Sequence, residues 1–207
     1  MCRRSPIGST GPSRKNSLRF SASGASAMTL ILRPATRSDV PHLERWDHEP
    51  HVIAATSDDP EADVAFEDAE WLEEITSDDP ASAFFIAEVD GRPIGAMQVI
   101  DPALERTHYW GEDCPPNLRA MDIWIGEKDC LGKGYGTQMM TLAISQAFAD
   151  PAVEAILIDP LNSNTDAHRF YQRMGFQPIG RRLFDEEDDC LVHRLDRAHW
   201  RFGDTDA

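Results

Sequence analysis

Positive charge is what this 207-residue sequence has least of. Lysine and arginine together number 20 against 36 acidic residues, a formal net charge of −16, and only three of the cations are lysines (Lys15, Lys128, Lys133). A nucleic-acid backbone binder needs clustered cations, so no nucleic-acid partner is expected. Long apolar runs are also missing. No stretch of 18 apolar residues occurs, so no membrane-spanning helix is expected. The four cysteines (Cys2, Cys114, Cys130, Cys190) are far apart and form no C-x-x-C pair. They support neither a zinc site nor a disulfide framework, and free cytoplasmic thiols are expected. His48 and His51 stand in no metal-binding spacing, so no metal is expected. What remains is an acidic globular chain whose field would steer a cationic small-molecule partner toward it.

Residues 1–27 carry five basic groups, no acid, and mainly Ser, Gly and Ala. They have too little apolar surface to offset the entropy of ordering. They are expected to lie outside the fold, as an upstream mis-called start ahead of Met28 or an Arg- and Ser-rich leader. The remaining 180 residues would form a single domain with a charge of −21.

Within that domain Leu30–Arg33 reads as a strand. Ser38 could cap a helix bearing Val40, Leu43 and Trp46. A second helix is expected over 61–75, after Pro50, which should interrupt helical structure around His48 and His51. Two apolar runs flank Asp90-Gly91, a hairpin signal. A long polar connection from Pro102 to Asn117 contains Tyr109 and Trp110; connections of that length are commonly functional. Then follow the strand RAMDIWIG, the turn LGKGYGT, a helix, the strand AILID, the helix NTDAHRFYQRMGF closed by Gly175, and a last strand pair around the acidic segment 185–189. Strand–helix alternation predicts an α/β fold with helices on both faces, and the hairpin makes its sheet mixed.

The turn Leu131–Thr137 follows a strand and opens a helix. Gly132, Gly134 and Gly136 allow a tight path that exposes backbone N–H groups, and Lys133 adds a cation. Such a turn can cradle a phosphate or pyrophosphate. It matches neither the P-loop nor the dinucleotide-binding spacing.

In order, RAMDIWIG, LGKGYG and Tyr171-Gln-Arg-Met-Gly175-Phe176 resemble the GCN5-related N-acetyltransferases, whose hallmark is Q/R-x-x-G-x-G/A followed by a strand and Y-x-x-x-G-F. The likeness spans about Leu30 to Arg197, with Leu131 standing where the family usually has Gln or Arg. It implies a GNAT fold: a mixed, mostly antiparallel sheet with a splayed parallel strand pair. It also implies transfer of an acetyl group from acetyl-CoA to an amine. The cofactor would contact Trp124, Ile125, Leu131, Gly132, Lys133, Gly134, Tyr135, Gly136, Thr137 and Asn164. Thioester aminolysis needs a base, an oxyanion donor and preferably an acid near the departing sulfur. The resemblance assigns the base to Asp122, and the acid for the departing sulfur, protonating it or hydrogen-bonding it, to Tyr171.

PIGAMQVI, Tyr109-Trp110-Gly-Glu and DPLNSNTDAHRFYQRMGF are further similar to the aminoglycoside 6′-N-acetyltransferases. That likeness implies an acceptor pocket walled by Trp46, Tyr109 and Trp110, ammonium anchors at Asp159 and the 185–189 segment, and a cytoplasmic monomer or homodimer acting on an antibiotic. Ala54-Ala55 stand where those enzymes tend to have tryptophans. Alternatives are a siderophore-type hydroxylamine or amine acyltransferase, a protein N-terminal acetyltransferase, or a non-catalytic acetyl-CoA sensor.

Overall fold

A computed structural model describes residues 18–20, 29–67, 69–184 and 188–200. Eight strands form one sheet among them: β1 (Leu18–Phe20), β2 (Leu30–Pro34), β3 (Ser82–Val89), β4 (Arg92–Ile100), β5 (Leu118–Ile125), β6 (Ala155–Ile158), β7 (Gln177–Phe184) and β8 (Asp188–Asp196). Their order is β1-β2-β3-β4-β5-β6-β8-β7. Every neighbouring pair is antiparallel except β5 and β6. The β3–β4 hairpin turns at Asp90-Gly91, both with positive φ (50° and 82°), as a tight two-residue turn requires.

The helices are α1 (Val40–Asp47), α2 (Pro50–Thr56), α3 (Trp71–Thr76), α4 (Tyr135–Ala147) and α5 (Thr165–Arg173). They cover both faces. Met139, Met140, Ile144 and Tyr171 of α4 and α5 pack on Leu30, Leu32, Met97 and Met121. On the opposite face Leu43, Trp46, Val52 and Trp71 of α1–α3 pack on Ile86, Ala96 and Trp124. Beside them, Tyr109 and Trp110 of the long connection cover Leu118, Ala120, Leu157 and Val192.

Several local expectations differ from the structure. Leu18–Phe20, expected outside the fold, pair with Leu30–Leu32 as an edge strand; the rest of 1–27 lies outside the described residues. Ser38 does not cap α1. Thr36 and Asp39 instead form a capping box on the 3-10 turn Arg37–Asp39 that leads into it, and Arg33 clamps both Asp39 oxygens at 2.6 and 2.7 Å. Pro50 begins a helix instead of interrupting one, because the first turn needs no N–H from it. The helix expected over 61–75 shrinks to α3. The Ala65 N–H goes to the Asp47 carbonyl, and Asp63 and Glu67 would repel at i, i+4 on a continued helix. Cys190 is disulfide-bonded, correcting the expectation of four free thiols, whereas Cys114 and Cys130 are free. No helix among the described residues is long and apolar enough to cross a membrane.

One feature of the sheet positions the candidate site. β5 and β6 are paired only at Leu118–Ala120 against Ala155–Leu157. Beyond Ala120, β5 stays bonded to β4 as far as Ile125, while its other edge has no β6 partner. The parallel pair therefore splays apart from Asp122 onward.

Candidate active site

The splay opens into a cleft of about 440 Å³ lined by Ile123, Trp124 and Ile125 of β5, the turn before α4, and Phe170, Tyr171 and Arg173 of α5. Gly132 and Gly134 have φ of +70° and +78°, conformations that residues with a Cβ rarely adopt. Gly134 is the left-handed N-cap of α4, and a Cβ on either glycine would meet open space. The first bond from the α4 backbone runs from Gln138 N–H to the Gly134 carbonyl. The amides of Gly132, Lys133, Gly134, Gly136 and Thr137 donate to no described residue. A ring of available N–H groups thus stands at the positive end of a 13-residue helix dipole, an arrangement that can accept an anion such as a diphosphate.

Strand alternation then fixes which groups meet in the gap. Met121, Ile123 and Ile125 face the α4–α5 core. Ala120, Asp122 and Trp124 face the other way, toward the long connection and the α1–α3 cluster. Asp122 is 5% exposed and Asp159 2%. Tyr171 reaches the gap from the α5 side and is buried. Burial pushes its hydroxyl well above the usual tyrosine range, and the negative charges of Asp122 and Asp159 push the same way. Asp122 and Asp159 do not line the cleft, but both lie close enough to Tyr171 for their charges to act on its hydroxyl across the sheet.

Tyr109 and Asp159 form one unit. The Tyr109 hydroxyl donates to Asp159 Oδ2 at 2.6 Å, and its ring stacks on Phe184 with centroids 4.2 Å apart and planes 5° apart. Arg182 donates to the Tyr109 and Trp110 carbonyls, 2.9 Å each, and lies over the Phe184 ring. These bonds hold the connection in one conformation against the sheet.

Other sequence-predicted residues land differently. Trp46 is 0% exposed and donates its indole N–H to Glu127 at 2.9 Å. Its ring lies where a Cβ on Gly126 would be, 2.1 Å away, so it braces the end of β5 and has no open face for an acceptor. The Asn164 side chain accepts from Ala167 N–H at 3.1 Å as the N-cap of α5 and does not line the cleft. Tyr135 lines the cleft yet packs its side chain in the core. Leu131 is exposed at the rim. Of the acidic segment, residues 185–187 lie outside the described residues, while Asp189 pairs with Arg181.

Phe170, Cys130 and Arg173 line the cleft without having been singled out by sequence. Only Arg173, two residues after Tyr171 in the Y-x-x-x-G-F stretch, carried a signal that could have found it. Burial holds the Cys130 thiol above its ordinary range, with Asp129 adding to the effect. A thiolate nucleophile, and with it a covalent acyl-cysteine route, is disfavoured there.

A family model described as an acetyltransferase (GNAT) domain matches residues 35–184. The aminoglycoside N(6′)-acetyltransferase type 1 of Klebsiella pneumoniae is 28% identical over 153 residues, covering 73% of this chain and 76% of that protein. A kanamycin resistance protein of Rhizobium radiobacter is 38% identical over 77 residues, covering 37% of this chain and 71% of that protein. Among solved structures, aminoglycoside acetyltransferase AAC(6′)-Ib in complex with coenzyme A and kanamycin superposes with a TM-score of 0.69 at 26% identity, over 82% of this chain and 96% of that one.

Proposed function

The chain belongs to the GNAT acetyltransferases, and from that premise we propose that it moves the acetyl group of acetyl-CoA to the 6′-amine of an aminoglycoside-like polycation. The observation that carries the reading is the gap between β5 and β6, with unoccupied amides at one end and buried carboxylates across the sheet. Relatives named for aminoglycoside N(6′)-acetylation and a like-folded enzyme bound to coenzyme A and kanamycin support the donor and the acceptor class. The charge of −21 outside the first 27 residues suits a polycation, which it draws in over a distance of about one Debye length, roughly 8–10 Å.

The Gly132–Thr137 amides hold the diphosphate. The gap-facing edge of β5 around Ile123, beyond its pairing with β6, offers peptide groups to the pantetheine arm, which lies in the gap as an extra strand would, while the Ile125 carbonyl is held by His51 Nε2 at 2.9 Å. Asp122 takes the proton that the ammonium must lose before attack on the thioester carbonyl. The new C–N bond forms as the C–S bond breaks, and the sulfur leaves with the electron pair. Tyr171 faces that sulfur. Its hydroxyl is held above the ordinary value near 10, whereas an alkyl thiol ionises near about 8.5, so the phenol is the weaker acid. Tyr171 therefore keeps its proton and donates a hydrogen bond to the thiolate, which is protonated later from solvent. Asp159, with Tyr109 fixing one of its oxygens, supplies negative charge for a second ammonium on the acceptor, and Trp110 forms the adjacent wall.

The test is thiol release from acetyl-CoA across kanamycin-type antibiotics, linear polyamines, hydroxylamine siderophore precursors and basic peptides. Turnover on the antibiotics, with product acetylated at the 6′-nitrogen, is the expected result. Turnover confined to any other group overturns the acceptor assignment.

A further inference from the structure

Most cations among the described residues are bonded. Arg33, Arg45, Arg92, Arg119, Arg169, Arg181, Arg194 and Arg197 all have carboxylate or carbonyl partners, and Arg182 holds two backbone carbonyls. The side chains of Arg37 and Lys128 also have no hydrogen-bond or ion-pair partner among the described residues but do not line the cleft; Arg173 does. It is exposed, lines the same cleft as the glycine turn, and forms no hydrogen bond or ion pair with any described residue. It lies at the last position of α5, so its backbone is fixed while its side chain is available at the cleft rim. Lys133 is likewise without an ion pair among the described residues, but it belongs to the turn itself.

Two anionic groups need matching partners on a CoA thioester: the diphosphate and the ribose 3′-phosphate. The turn between Leu131 and Thr137 has amides enough for the first. Arg173 stands on a different element, across the cleft, and is not needed there. We propose that Arg173 grips the 3′-phosphate and makes this enzyme specific for free CoA thioesters, against donors that lack that group, such as dephospho-CoA or a carrier-bound phosphopantetheine. A planar guanidinium can meet a phosphate with two parallel N–H···O bonds. The negative field of the surrounding chain makes such a local cation more necessary, because the donor itself is an anion. This inference rests on the acetyl-CoA reading above.

Calorimetric titration of the full chain with CoA and with 3′-dephospho-CoA tests it without needing the acceptor. Wild type should bind CoA about tenfold or more tightly than dephospho-CoA, the range expected for a charge-assisted hydrogen-bonded pair. Arg173→Gln should bring the two affinities within about twofold by weakening CoA alone, and Arg173→Lys should recover part of the difference. Raised salt should weaken CoA binding more in wild type than in Arg173→Gln. Equal affinities in wild type, or equal weakening of both ligands in Arg173→Gln, would overturn the assignment while leaving the CoA site intact. Binding of neither ligand by wild type would overturn the acetyl-CoA reading with it.

Discussion

The Tyr109 hydroxyl donates to Asp159 Oδ2 at 2.6 Å from an element 50 residues earlier in the chain, tying the long 102–117 connection to the end of β6. One bond thereby joins a wall of the proposed acceptor site to a carboxylate that could hold an ammonium group. Tyr109→Phe should cost about 1–3 kcal/mol of stability, because a buried carboxylate loses a donor. The acceptor KM should rise while the CoA Kd stays within about twofold. Kinetics on both substrates, alongside calorimetry, distinguish this from a general loss of fold.

Asp122→Asn should lower kcat by about 10²–10⁴-fold, the usual contribution of a positioned base. The amide is nearly isosteric, so CoA affinity should stay within a few-fold. If CoA binding and kcat fall together, Asp122 shapes the β5 edge and is not the proton acceptor.

Tyr171→Phe should lower kcat by roughly 10–100-fold, as expected for loss of a hydrogen bond to a charged atom. Its raised hydroxyl also implies that the alkaline side of the kcat profile does not follow ionisation of this residue below about pH 10. A wild-type alkaline limb that disappears in Tyr171→Phe would show instead that the phenol gives up its proton.

Gly126→Ala should destabilise the fold by roughly 1–3 kcal/mol, since the added methyl falls within 2.1 Å of the buried Trp46 ring. Thermal melting should show a drop of several degrees. An unchanged Tm would mean that the α1 brace on β5 yields easily.

A pH prediction concerns the α1–α3 contact. Burial raises the Asp47 carboxyl to about 6, although the Trp71 indole N–H bonded to it at 2.5 Å works against the rise. Raised in the folded state, this acid adds stability below about pH 4 and loses it as pH climbs through 6. Glu74, pushed to about 7 by burial and by Glu73 and Asp79, acts in the same sense. His193, lowered to about 4 by burial and by His168, acts in the opposite sense as pH falls below about 6.5. Subtracting wild-type from Asp47→Asn melting curves cancels the last two. The difference should grow in favour of the variant between pH 4 and 7; a flat difference would sink the prediction.

Much of the frame was legible because its signals are local. Asp90-Gly91 dictates a turn through backbone geometry, Gly175 closes α5, and the alternation in MDIWI puts Asp122 and Trp124 on one face. What escaped depends on partners remote in sequence. Trp46 looks like a stacking platform until Glu127 and Gly126 arrive from 80 residues away. The 61–70 stretch has helical apolar spacing, yet Asp47 captures its Ala65 N–H. Arg173 stands in the Y-x-x-x-G-F stretch, but only the fold places its side chain on the cleft without a partner.

Because β5 and β6 part company after Ala120, the sheet is a bulkhead with a slot, and each reactant would come to its own side of the slot. Residues proposed to choose the amine, on the face of Tyr109 and Asp159, are separated by a strand's thickness from those proposed to seat the thioester, on the face of α4 and α5. Acceptor preference can drift through substitutions in the overlying connection without loosening the donor's berth. That modularity is a physical reason why such a scaffold can change its clientele while keeping its chemistry.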